Sequence, residues 1–207
     1  MGWLIETLVW FYLKNLVKSS QPPFCLLVTQ TCPLTTLLIA KHGGIFSDYH
    51  LGFDKHGKNL RSLKGGIWNA TYGNIPLTLI ESPDFQRGVI YGEKDDILRF
   101  TSFTKTALDY LLENNKHPDI LNLHDWLTAF AAPLYHDVYK KKGLKVGGIV
   151  TTIHNMKYQG TSSKTKHPNL LKSGLEYSAM LTTVSPTYAK EIRGKEGYGL
   201  ESLIIKK

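Results

Sequence analysis

Sulfur is scarce in this sequence of 207 residues, with two cysteines and three methionines, and long apolar runs are missing. Cys25 and Cys32 are too few for a disulfide scaffold or a four-thiolate zinc site. They read as buried thiols in a reducing compartment. The apolar stretch from Trp3 to Leu13 is interrupted by Glu6 and falls well short of the ~20 residues a bilayer-spanning helix requires. A membrane span is therefore not expected. The same stretch lacks the basic start and small-residue cleavage site of a secretory signal. Acid is rare there too, since Glu6 is followed by none before Asp48. An organelle transit segment and an amphipathic helix packed on the domain both suit that composition, and both readings stay open.

Acid is missing a second time between Val138 and Leu175. Lys140, Lys141, Lys142, Lys145, Lys157, Lys164, Lys166 and Lys172 fall in that interval. The stripe suits an anionic partner such as a nucleotide diphosphate, or it is simply a solvated face. It holds no arginine and no recognisable nucleic-acid motif, so a nucleic-acid partner is not expected. The net charge is +8 and hydrophobic residues make up 42% of the chain, enough to close one α/β domain around a buried core.

From residue 75 onward strand and helix patterns alternate. Ile75–Ile80 reads as a strand, and Asp95-Asp96 open a helix whose apolar face is Ile97, Phe100, Phe103, Ala107, Leu108 and Leu111. Asn114-Asn115 and Pro118 stop it. Asp119–Leu123 reads as a strand, and a single helix follows from about Trp126 to Lys141. Gly147–Ile153 is a β-branched strand, Asn169–Tyr177 a helix and Ala179–Val184 a strand. Ser185-Pro186 then caps a helix reaching about Arg193. The alternation predicts an α/β fold, a Rossmann-like parallel sheet with helices on both faces.

Ligands of such sheets bind at the carboxyl ends of the strands. Three polar clusters fall there: His124-Asp125-Trp126, His154-Asn155 and Ser185-Pro186. Histidines at two successive strand ends, one beside an aspartate, point to a site. A metal needs three or more ligands within reach, and no third is visible.

These residues resemble the N-terminal catalytic-domain half of starch synthases and bacterial glycogen synthases, with wording closest to the soluble plant enzymes. The resemblance runs from about Leu60 to Leu203. It rests on Tyr91-Gly-Glu-Lys-Asp-Asp-Ile-Leu-Arg-Phe100, Pro118-Asp-Ile-Leu-Asn-Leu-His-Asp-Trp126 and Thr152-Ile-His-Asn-Met-Lys-Tyr-Gln-Gly160. Asn169–Tyr177, Thr182–Ile192 and Tyr198-Gly-Leu200 extend it. The resemblance implies a retaining transfer of glucose from ADP-glucose to the non-reducing end of an α-1,4-glucan, between two Rossmann-like domains. It implies no cofactor besides the donor substrate, and a plastid location, with cytoplasm as the alternative. Carried over by motif, Asp125 would line the active cleft and His154 would hydrogen-bond the donor glucose. Asn155 would lie beside it, and Tyr91 would border the acceptor side. The family's Lys-Thr-Gly-Gly-Leu loop has its nearest match in Lys41-His-Gly-Gly-Ile45. Lys41, Gly43 and Gly44 would there approach the donor phosphates, although His42 replaces the threonine and Ser47 the acid, with Asp48 one position on.

The expected organisation is a divergent segment over residues 1–59 and a starch synthase-like domain over 60–207, with the nucleotide domain of the family outside these residues. The segments Gly44–Trp68 and Gly160–Asn169 look shortened. The expectation is of a chain that is inactive alone, or that serves as a glucan-binding module or a partner for another synthase chain.

Overall fold

The structure, a computed structural model, describes residues 26–31, 34–41, 54–55, 67–72, 75–81, 92–161 and 168–207. The strands are β1 (Leu26–Thr31), β2 (Leu34–Lys41), β3 (Asp54–Lys55), β4 (Ile67–Tyr72), β5 (Ile75–Glu81), β6 (Ile120–His124), β7 (Gly148–Ile153) and β8 (Met180–Thr183). They form an eight-stranded sheet in the order β3-β4-β5-β2-β1-β6-β7-β8. The strands that carry the candidate site, β6, β7 and β8, are parallel neighbours, as the alternation predicts.

Elsewhere the sheet is mixed, because β1 runs antiparallel to both β2 and β6, and β4 antiparallel to β3 and β5. Connection length explains two of these pairs, β1–β2 and β4–β5. Parallel neighbours need a crossover of a dozen or more residues, whereas two residues separate β1 from β2 and two separate β4 from β5. β2 and β5 are parallel, so Lys41 ends a strand that points the same way as β6. Three of the strands, β1 to β3, come from residues 1–59 and belong to the same sheet as the rest.

Helix α1 (Asp96–Glu113) forms where the apolar spacing places it, and Phe100, Phe103, Ala107, Leu108 and Leu111 are buried. The Asp96 carboxylate accepts the Gly92 N–H at 2.6 Å and pairs with the buried Arg99 guanidinium at 2.6 Å. That carboxylate complements the positive end of the helix. Asn115 ends it with φ +52°, and the Lys116 N–H returns to the Leu111 carbonyl.

The expected single helix over Trp126–Lys141 is not what the chain forms. It is broken into α2 (Asp125–Ala129), α3 (Ala131–Leu134) and a π-helical turn at Tyr135–Tyr139. Pro133 is one cause, since it offers no N–H to the Ala129 carbonyl. The other is a neighbour, α4 (Leu170–Tyr177), which presses Gly174 against Ala129. A Cβ on Gly174 would stand 2.4 Å from the Ala129 Cβ and 2.8 Å from its carbonyl oxygen. In the π turn, Tyr135 accepts the Val146 N–H through its hydroxyl, and Tyr139 donates to Asp109 of α1. The turn is thereby pinned at both rings.

Two short helices close the chain, α5 (Pro186–Glu191) and α6 (Glu201–Ile205), joined through a 3-10 turn at Lys195–Gly197. Ser185 caps α5 by accepting the Tyr188 N–H, as the sequence predicts, and Asn169, expected as the first residue of its helix, instead caps α4 by accepting the Lys172 N–H. Period-two alternation decides what faces the core. Leu121, Leu123, Ile149, Thr151 and Ile153 point into the helix-covered side and are buried, with Ile80 of β5 joining them. The opposite side carries a polar ladder in which the Thr152 hydroxyl donates to Asn122 Oδ1 at 2.9 Å and meets the Thr182 hydroxyl at 2.8 Å. The buried apolar side chains of α1, α2, α3, α4 and α6 cluster with the residues of the first side. No helix of the described residues is long and apolar enough to cross a membrane.

Candidate active site

The carboxyl ends of β6 and β7 meet through side chains. β6 stops at His124, and the next residue, Asp125, takes φ +52°, a left-handed conformation that favours glycine and that aspartate tolerates better than most. The twist is held by what it achieves. Asp125 Oδ1 accepts the backbone N–H of His154 at 2.7 Å and that of Asn155 at 3.1 Å, tying the turn after β7 to the first residue of α2. Burial pushes the Asp125 carboxyl above its usual range, against the pull of His154 and of the two N–H groups. Asp125 Oδ1 thus orients the loop that carries His154.

His124 and His154 form a pair. Nδ1 of His124 lies 2.8 Å from Nε2 of His154, with ring centroids 5.1 Å apart and planes 25° apart. His124 is buried, its backbone N–H donates to Thr128 Oγ1 at 2.7 Å, and its Nε2 is sealed from solvent without a hydrogen-bond partner among the described residues. Burial, with the charge of His154 adding to it, holds His124 well below the ordinary histidine range, so it is neutral at pH 7.

The turn itself is a set of local bonds. Asn155 Oδ1 accepts the Lys157 N–H at 3.0 Å, and the Met156 N–H donates to the Tyr188 hydroxyl at 2.9 Å. Gln159 donates to the carbonyls of Met156 and Tyr198 and accepts from Asn169 at 2.5 Å, which fastens the loop to the chain ahead of α6. Gly160, at φ +63°, lies under the Trp126 indole, where a Cβ would be 2.6 Å from the ring. Trp126 in turn meets Phe100 edge-on at 5.3 Å. The loop is therefore packed, and His154 and the exposed Asn155 stand at its rim.

The structure brings Asp125, His154 and Asn155 together. Lys41 ends β2 at the same edge of the sheet, two strands from β6 and so roughly 10 Å away across it. Tyr91, Gly43 and Gly44 lie outside the described residues. His124 stands in the sequence cluster without a role, and the structure gives it one as the partner of His154. Tyr188 has no sequence signal beyond its place one turn into a capped helix. Among the described residues no group of three or more His, Cys, Asp or Glu could hold a metal ion.

Residues 36–206 match the family described as starch synthase catalytic domain. The chain belongs to the starch synthase catalytic-domain family. Its sequence is 41% identical over 170 residues to probable starch synthase 4, chloroplastic/amyloplastic, of Arabidopsis thaliana, an overlap of 68% of this chain and 16% of that protein. It is 40% identical over 168 residues to a glycogen synthase of Protochlamydia amoebophila, covering 67% of this chain and 34% of that one. Among solved structures it is similar to the catalytic domain of starch synthase IV from Arabidopsis thaliana bound to ADP and acarbose. There the TM-score is 0.63 and the identity 38%, over 76% of this chain and 38% of that one. The chain spans about a third or less of the length of these relatives. Plant relatives are chloroplastic or amyloplastic, and bacterial glycogen synthases are of similar identity.

Proposed function

We propose that this chain supplies one wall of a retaining glucosyltransferase site, which moves glucose from ADP-glucose to the non-reducing end of an α-1,4-glucan. The observation that carries the reading is His154, held at a strand end by Asp125 and His124. It stands in a chain 38% identical to a domain solved with ADP and acarbose. A neutral imidazole there donates a hydrogen bond to a hydroxyl of the donor glucose, and the Asp125 carboxylate stabilises the oxocarbenium-like centre. Asn155 and Tyr91 border the sugars, while Lys41, Gly43 and Gly44 approach the phosphates. The reaction uses no cofactor besides the donor, and the plastid is the proposed compartment, with cytoplasm as the alternative.

The isolated chain is expected to transfer nothing measurable. Transfer needs the donor phosphates held in line and the departing charge stabilised, and losing several such contacts at roughly 3 kcal/mol each slows it by many orders of magnitude. The test joins this chain to the remainder of the Arabidopsis starch synthase IV catalytic domain and supplies labelled ADP-glucose with a glycogen primer. Label should enter glycogen, and His154→Ala should abolish it while the hybrid stays folded. A folded hybrid without turnover, or turnover indifferent to His154→Ala, overturns the reading. The second reading is a non-catalytic glucan- or synthase-binding module. Retention on amylopectin by a folded, inactive hybrid would favour it.

A further inference from the structure

The nitrogen that the site leaves unpartnered decides how the histidine pair carries its protons. One hydrogen lies between His124 Nδ1 and His154 Nε2, at 2.8 Å, so one of these nitrogens donates and the other accepts. If His154 donated, a neutral His124 would carry its own proton on Nε2. That atom is sealed from solvent and meets no acceptor. A buried N–H without a partner is among the rarest defects of native structures, and an unmet acceptor is tolerated better. We infer that His124 is a positioning residue: it is protonated on Nδ1, donates to His154 Nε2, and so fixes His154 as the tautomer whose free donor is Nδ1–H.

The backbones that carry the two rings are both anchored. Thr128 Oγ1 accepts the His124 N–H at 2.7 Å and returns its hydroxyl to the His124 carbonyl at 3.1 Å. The His154 N–H is held by Asp125 at 2.7 Å. The pair is built as a one-way relay of hydrogen-bond polarity from the core to the rim.

The site therefore presents the His154 Nδ1–H to a sugar oxygen. The sugar is a consequence of the proposed function, on which this last step rests; the tautomer does not depend on it.

The test is a long-range proton–nitrogen NMR correlation on the labelled 207-residue chain without sugar, assigned with His124→Asn and His154→Asn. Both rings should read as Nδ1-protonated, and His124 as neutral at pH 7. His124→Asn keeps an amide donor close to the lost Nδ1 and should preserve the His154 tautomer. His124→Leu should shift His154 to the Nε2-protonated form. His154 read as Nε2-protonated in the wild type overturns the assignment, as does a folded His124→Leu chain whose His154 is unchanged. Should His124→Leu fail to fold, the wild-type and His124→Asn spectra decide alone. Absence of acarbose binding in the same samples would count against the glucosyltransferase reading and leave the tautomer standing.

Discussion

Asp125 combines backbone strain with two hydrogen bonds, and a substitution series separates them. The bond to the His154 N–H is partly buried and reaches a carboxylate, so its loss costs about 1.5–3 kcal/mol. The Asn155 N–H is exposed and turns to water, adding about 0.5 kcal/mol. At φ +52° alanine pays roughly 1 kcal/mol more than aspartate or asparagine, and glycine pays nothing for the conformation. Asp125→Ala should therefore lower stability by about 3–4 kcal/mol and Asp125→Gly by about 2–3 kcal/mol. Asp125→Asn retains a carbonyl acceptor and the tolerated backbone, and should lose about 1 kcal/mol. Urea unfolding followed by circular dichroism at 222 nm gives the three values, on chains of equal m-value. Glycine no more stable than alanine would refute the strain argument. Asparagine as damaging as alanine would refute the hydrogen-bond argument.

Two further outcomes follow from the packing and the buried histidine. Gly174→Ala drives a Cβ into Ala129, and overpacking of about 1–3 kcal/mol outweighs the roughly 1 kcal/mol of helix propensity gained. Its melting temperature should fall by several degrees, whereas Gly148→Ala, with nothing within 4 Å of the new Cβ, should change little, as calorimetry would show. Because His124 titrates well below its unfolded value of about 6.5, its contribution is present above that pH and lost as the pH falls below it. Stability should drop below pH 6.5 with a His124 share of at most ~1.4 kcal/mol per pH unit, and His124→Asn should flatten the slope by that share in urea titrations from pH 7.5 to 5.

The elements with strong local signals were legible in the sequence because one cause decides each of them. Helix α1 has an acidic start, an apolar face and an asparagine stop, and β7 is β-branched throughout, so pattern and packing agree. The region from Trp126 to Lys141 was only half legible: Pro133 announces one missing hydrogen bond, while the contact with Gly174, of a helix more than thirty residues on, has no local signal. Sheet direction shows the same limit. The parallel order of β6, β7 and β8 follows from the helices between them, while the antiparallel pairs β1–β2 and β4–β5 depend on two-residue links that carry no hydrophobic pattern. At the site, Asp125 and His154 were found by chemistry at strand ends, and their contact follows from a register that places His124 opposite Thr152. What no one-dimensional reading could supply is direction within the pair. A sequence shows two histidines thirty positions apart; only the sealed nitrogen of one reveals which of them must give the proton and which must receive it.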